Sequence, residues 1–216
     1  EKLHNLRYFS LFCDILTVGY DDLILPLLQR MSNLEQLDLH IVAIHDDKFI
    51  DGNDLKKNII NNIPQLNKFE FNIHSNVSLD NQNELLSNED IRKTFKDFKD
   101  SLVISRSDFF PSINEGQCHI YSYPYKISHY NNITNNFPGG LFKYVYQVSL
   151  YDERPFEHEF FIQIEKSFPF MKKLKVDNKE PQSNKQCYES RNNNRNLSNI
   201  KYPHLTNLYL YYSHDD

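Results

Sequence analysis

Residues 63–71 read IPQLNKFEF, and residues 202–210 read YPHLTNLYL. In both stretches a bulky residue and a proline precede an apolar anchor, and two more apolar residues follow with the spacing Leu-x-x-Leu-x-Leu. Residues 168–176, FPFMKKLKV, repeat this motif. Residues 32–39 and 5–11 carry it without the proline, and a weaker copy has Phe137-Pro138 some way before VYQVSL at residues 145–150. The six first anchors recur mostly at intervals of about 30 residues, which predicts an internal repeat; they are Leu6, Leu34, Leu66, Val145, Met171 and Leu205.

Each copy of the motif predicts a short strand that follows a helix. The alternate apolar residues fall on one side of a strand, and the proline removes a backbone donor and ends the element before it. Ahead of Pro64, Asp54 is expected to cap a helix whose apolar stripe is Leu55, Ile59, Ile60 and Ile63. A similar stripe, Phe156, Phe160, Ile164 and Phe168, precedes Pro169. Parallel strands joined by crossover helices at this period stack into a solenoid.

These motifs resemble the leucine-rich-repeat family, specifically the long, irregular repeats of F-box proteins. The resemblance covers residues 1–73 and 137–212. It implies an α/β leucine-rich-repeat solenoid with parallel strands on the concave face, helices on the convex face and an irregular insertion in the middle. The asparagine that usually follows the motif is replaced, so the resemblance implies an array without a regular asparagine ladder; the residues at that position are Asp14, Val42, His74, Glu153, Lys179 and Ser213.

The expected domain organisation is a single leucine-rich-repeat-like domain over residues 1–216, cut from a longer chain. Residues 75–136 interrupt the repeat. Ser87 and Asp90 have the spacing of a helix start, and two extended stretches, 102–109 and 117–125, flank turn residues. This middle segment is interpreted as a helix with an inserted β-hairpin, and one or two degenerate repeats are the alternative.

Composition excludes several classes of protein. A net charge of −5 and a pI near 6.0 provide no basic field for nucleic acid, and five glycines leave no phosphate-binding loop. No apolar run has the length of a membrane span. The three cysteines, Cys13, Cys118 and Cys187, are far apart and form no disulfide framework. The expected location is therefore intracellular, in the cytoplasm or the nucleus.

No motif in the sequence predicts catalysis, a metal or a cofactor. His158 and Glu159 begin like a zinc-protease motif, but Ile162 occupies the place of the second histidine. His40, His45, Asp46 and Asp47 have no fixed ligand spacing and are interpreted as loop polarity. The cysteines have no histidine in a nucleophile motif and are interpreted as structural thiols. The chain is therefore predicted not to be an enzyme.

The predicted binding site is the exposed face of the strands. Residues beside the second and third apolar positions of each motif point away from the core, and parallel stacking aligns them. Tyrosine and phenylalanine at such positions are typical anchors of protein interfaces. The predicted partner-binding residues are Tyr8, Ser10, Phe12, Gln36, Asp38, His40, Lys68, Glu70, Asn72, Gln147, Ser149, Tyr151, Lys173, Lys175, Asp177, Asn207, Tyr209 and Tyr211.

The first functional hypothesis is a non-enzymatic protein–protein interaction module that resembles the substrate-recognition repeats of an F-box ubiquitin-ligase subunit. The resemblance implies that a ligase adaptor would bind through an F-box upstream of Glu1, since this sequence contains no F-box, while the residues present here bind a protein target. A leucine-rich-repeat scaffold unrelated to ubiquitination is the second hypothesis. An α/β enzyme whose proline-punctuated strands only mimic a repeat is the third.

Overall fold

The structure is a computed structural model that describes residues 3–45, 48–78, 86–98, 102–178, 180–181 and 200–211. The chain forms two compact units, Glu1–Pro124 and Tyr125–Asp216. Within the ranges just given, no helix is both long and apolar enough to cross a membrane. Each unit is built around one β-sheet.

In the first unit the residues that the structure describes form five strands and three short α-helices. In chain order these are β1 (Tyr8–Thr17), a π-helical turn (Tyr20–Ile24) continuing into α1 (Leu25–Leu28), β2 (Gln36–His45), α2 (Gly52–Asn58) followed by a 3-10 turn (Ile60–Asn62), β3 (Lys68–Ser78), α3 (Asn88–Thr94), β4 (Val103–Phe110) and β5 (Glu115–Ser122). The strand order is β1-β2-β3-β5-β4. β1, β2 and β3 are parallel, whereas β5 pairs antiparallel with both β3 and β4.

Alternation along the strands places the core of the first unit on one face of its sheet. The third apolar positions of the first three motifs pair in register, Leu11 with Leu39 and Leu39 with Phe71. Leu39 is fully buried, and Ile73 and Ile120 continue the same layer on β3 and β5. Side chains one position away therefore face the opposite side of this sheet.

The predicted cap of the second helix is wrong by three residues. The N-cap of α2 is Asp51, whose carboxylate accepts a hydrogen bond from the Asp54 backbone N–H at 2.9 Å. Asp54 is instead buried, and its carboxylate accepts a hydrogen bond from the Tyr20 hydroxyl at 2.9 Å. Burial and this neighbouring carboxylate raise the pKa of Tyr20. Asp54 thus links α2 to the turn after β1.

The described residues of the second unit form four parallel strands and one helix. These are β6 (His129–Ile133), β7 (Gln147–Asp152), α4 (His158–Ser167), β8 (Lys173–Asn178) and β9 (Asn207–Tyr211), and the strands are ordered β6-β7-β8-β9. Its core is largely aromatic: ring centroids of the buried cluster lie 5.0–5.9 Å from their neighbours, and the members are Tyr125, Tyr130, Phe137, Phe142 and Phe168.

The carboxyl ends of three strands in the second unit are joined by side-chain hydrogen bonds that the sequence did not predict. Asp152 accepts through its carboxylate from the Asn135 backbone N–H at 2.8 Å and from the Arg154 N–H at 2.9 Å. The Asn178 amide donates to the backbone carbonyls of Asp152 and Arg154 at 2.8 and 2.7 Å. Asp152 and Asn178 lie one residue before the expected ladder position, so this turn network replaces a regular asparagine ladder.

Candidate interaction surface

Strand register places the predicted binding residues on two faces, nine residues in each unit. In the first unit the rows across β1, β2 and β3 are Tyr8, Gln36 and Lys68; Ser10, Asp38 and Glu70; and Phe12, His40 and Asn72. In the second unit the rows across β7, β8 and β9 are Gln147, Lys173 and Asn207; Ser149, Lys175 and Tyr209; and Tyr151, Asp177 and Tyr211. Equivalent positions of successive motifs are therefore lateral neighbours within each unit.

Much of the polarity on the face of the first unit is satisfied within the chain. The Tyr8 hydroxyl donates to one carboxylate oxygen of Asp38 at 3.0 Å, and the Gln36 amide donates to the other at 3.3 Å. Lys68 and Glu70 form an ion pair at 3.3 Å. A partner at these positions would therefore compete with existing polar contacts.

The third row of this face is partly buried. The Phe12 ring stacks on His40 with centroids 4.4 Å apart, and it remains exposed while His40 is buried. Asn72, the next residue in the row, is only 2% exposed and its amide oxygen lies 3.0 Å from the His119 imidazole. Of this row, Phe12 alone presents a large exposed surface.

A buried polar cluster continues from this row, and the sequence did not identify it. His119 on β5 stacks on His74 of β3 with ring centroids 3.7 Å apart. On β4, Arg106 forms an ion pair with Asp108 at 2.8 Å, and Arg106 is in register with His119. All four residues are buried although they lie on the sheet face opposite the apolar core. The polar residues alternate along β4, which assigns them to one face of the sheet. Such alternation normally indicates a solvent-exposed face, so it does not predict their burial.

The surroundings of His119 favour its neutral form. Burial lowers the pKa of this imidazole well below its usual value, and the neighbouring positive or protonatable groups His74, Arg106 and His40 lower it further. The residues that face it from the adjacent strands are His40 on β2, Asn72 and His74 on β3, Arg106 and Asp108 on β4, and Tyr121 on β5. His119 therefore stays neutral in the folded chain at pH values where the unfolded chain protonates it.

We expect acid to destabilise the first unit for this reason. Below the ordinary histidine pKa of 6.5 the unfolded chain binds a proton at His119 that the folded chain does not bind. Stability is thus retained above that pH and falls by up to about 1.4 kcal/mol per pH unit below it. Urea midpoints at successive pH values measure the slope. His119→Gln should flatten it, whereas the exposed His204→Gln should not; equal slopes in the two variants would contradict the assignment.

The face of the second unit is more accessible. Lys173 and Lys175 are exposed on β8, and Tyr209 and Tyr211 are exposed on β9. The Lys175 ammonium lies 4.6 Å from the centre of the Tyr211 ring, which is a cation–π distance. Ser149 is partly buried, and its hydroxyl accepts a hydrogen bond from the Asn132 backbone N–H at 2.9 Å. This face combines cations with aromatic rings.

The side chains considered for catalysis are dispersed. His45 lies 2.8 Å from Asp21, His158 begins α4, and burial raises the pKa of the Cys118 thiol. Asp46, Asp47 and Cys187 lie outside the described residues. Across the part of the chain that the structure covers, histidine, cysteine and acidic side chains form no group of three that could hold a metal ion.

Comparison of the chain with protein-family models, with curated proteins and with solved structures finds no match.

Proposed function

We propose that this chain is a non-enzymatic protein–protein interaction module that binds its target through the exposed faces of its parallel strands. The observation that carries the proposal is the shared register: within each unit, positions that the sequence repeats in every motif become lateral neighbours on one face of the sheet. Solvent-exposed tyrosines at Tyr8, Tyr209 and Tyr211 supply the large amphipathic side chains that anchor protein interfaces.

Two further features support a repeat architecture and an interaction role. In the second unit the described strands are all parallel, and side chains at successive turns are hydrogen-bonded to the backbone of the neighbouring turn, so each repeat contacts the next. In the first unit the cluster of ionisable residues is buried, so a substrate would not reach it without opening of the sheet face. The exposed residues therefore favour binding over catalysis.

Replacing Tyr8, Tyr209 and Tyr211 together with alanine should weaken target binding by about tenfold or more, because anchors of this kind each contribute about 1–2 kcal/mol. The matched control replaces the exposed aromatic residues Phe109, Tyr144 and Phe170, which lie outside the predicted faces. Affinity capture with quantitative mass spectrometry measures the proteins retained by each variant, and circular dichroism checks folding. Capture that is unchanged in a folded triple-tyrosine variant would contradict the proposal.

The finer proposal, substrate recognition for an F-box ubiquitin ligase, is supported by the resemblance of the repeats. It predicts that a captured target accumulates in cells carrying the triple-tyrosine variant within the full-length protein, because the target is no longer delivered for ubiquitination. A target whose abundance and ubiquitination are both unchanged would favour a scaffold with no ubiquitin link.

A further inference from the structure

β9 has exposed apolar side chains on the side of the sheet that forms the core elsewhere. Leu208 and Leu210 occupy the second and third apolar positions of their motif and are 53% and 55% exposed. The residue that pairs with Leu208 on β8, Leu174, is only 2% exposed. β9 is also the last strand in the sheet order, so one edge of its backbone pairs with no other described strand. Such an edge can accept a further strand.

The opposite side of β9 has a different chemistry. Tyr209 and Tyr211 project there, and Lys175 reaches across from β8 to lie over the Tyr211 ring. Lys172 and Lys173 are exposed nearby, and Asp177, which pairs with Tyr211, is the acidic residue of these rows. The chain as a whole carries a charge of −5, so this concentration of positive charge is local.

The ionisation of Tyr146 is consistent with that local charge. Its exposed hydroxyl has a lowered pKa, chiefly because of side-chain hydrogen bonds with Ser128 and Gln147 and further because Lys173 and Lys172 are close. The positive charge at the start of β8 therefore acts on a side chain that precedes the neighbouring strand β7. An acidic ligand would be attracted to this face.

We propose that the free edge of β9 binds an extended segment of a partner protein in which acidic and apolar residues alternate. A strand added at this edge directs successive side chains to opposite faces. Its apolar side chains would cover Leu208 and Leu210, and its carboxylates would face Lys175 and the tyrosines. This inference rests on the proposed interaction function and specifies the class of partner and the strand that receives it.

A fluorescent peptide of alternating valine and glutamate tests this pairing with the whole chain by fluorescence anisotropy. We expect it to bind at least about tenfold more tightly than a peptide of the same composition in which the valines and glutamates form two blocks. Replacing the glutamates with lysine should abolish binding, and added salt should weaken it. Equal binding of the alternating and block peptides would overturn the proposal.

Variants of the protein locate the site. Lys173→Glu with Lys175→Glu should weaken peptide binding by about tenfold or more, and Leu210→Lys should do the same by placing a charge on the apolar side. Lys57→Glu with Lys166→Glu makes the same charge change on two exposed helix positions and should leave binding unchanged. Unaltered affinity in the first two variants would overturn the assignment to β9.

Two other occupants give distinct results. Self-association that depends on protein concentration and is lost in Leu210→Lys would show that a second copy occupies the edge. Tighter binding of oligouridine than of the alternating peptide, lost in the double-lysine variant, would identify a nucleic-acid site; either result overturns the proposal.

If the triple-tyrosine variant loses its targets while the alternating peptide does not bind, the interaction function stands and only the edge assignment fails. If the peptide binds as expected while the triple-tyrosine variant retains its targets, the assignment of the β9 edge stands and the proposed role of the three tyrosines fails.

Discussion

Replacement of Phe168 with alanine is expected to destabilise the second unit by about 3–5 kcal/mol, because it removes a fully buried ring from an aromatic core. Phe168 is 2% exposed, and its ring centroid lies 5.0 Å from that of Phe142, 5.7 Å from Phe137 and 5.8 Å from Tyr130. These rigid neighbours cannot easily move into the vacated volume. The loss should appear as lower urea resistance of the amides in β7 and β8, measured by hydrogen exchange and mass spectrometry.

Phe170 offers a matched control two residues along the chain. It is 50% exposed, and within the described residues its ring lies near that of an exposed histidine, His204, with centroids 5.7 Å apart. Phe170→Ala should therefore change the free energy of unfolding by less than about 1 kcal/mol. Similar losses in the two variants would show that the ring of Phe168 is not a main element of this core.

Asp108→Leu is expected to destabilise the first unit by about 3–5 kcal/mol, because it leaves the Arg106 guanidinium buried without its carboxylate. Both side chains are almost completely buried, at 6% and 4% exposure, and their charged atoms are 2.8 Å apart. His119, the register partner of Arg106, adds no negative charge that could compensate. Urea denaturation of the single variant and of Arg106→Met with Asp108→Leu measures the difference.

The double variant should recover most of the lost stability, since it removes both charges of this pair and leaves neither buried alone. Glu89→Leu is a suitable control, because it breaks an ion pair with Arg92 in which both side chains are more than half exposed. Exposed pairs of this kind contribute about 0–1 kcal/mol. A double variant that is no more stable than Asp108→Leu would contradict an electrostatic origin of the loss.

The spacing of apolar residues was sufficient to predict where strands of both units lie and which positions share a row. Leu37 and Leu39 are separated by one residue, so their common burial follows from the period of a strand. The same period places Gln36 and Asp38 on the face of the sheet opposite the core. Whether the two sheets belong to one continuous solenoid depends on long-range geometry that residue spacing does not encode, and the solenoid stays a prediction.

β6 shows how a small irregularity conceals a strand. Ile127, Tyr130 and Ile133 resemble the motif, but one extra residue separates the last two. Asn132 has a positive φ of 53°, and the pairing of β6 with β7 shifts between Tyr130 and Ile133. The extra residue is accommodated as a bulge, which breaks the alternation that a motif search requires.

Burial of the polar cluster could not be predicted from local sequence. His40 and Asn72 occupy outward positions of their motifs, and such positions are ordinarily exposed. Their neighbours Arg106 and His119 arrive from strands that are distant in sequence and enter the sheet antiparallel to β3. Which polar residues meet is decided by this pairing, and the two strands carry no copy of the motif that would reveal the register.

The hydrogen bonds among Asn135, Asp152 and Asn178 have a mechanical consequence for the second unit. These bonds connect the turn that follows one strand to the turn that follows the next strand. Tension applied at one turn is therefore distributed over its neighbours. Peeling a strand away from this end of the sheet would require several charged or amide hydrogen bonds to rupture together. The opposite ends of the strands are also tethered, since the Thr206 hydroxyl before β9 donates to the Lys172 backbone carbonyl before β8 at 3.1 Å. Forced separation from either end must therefore break side-chain hydrogen bonds as well as the strand pairing.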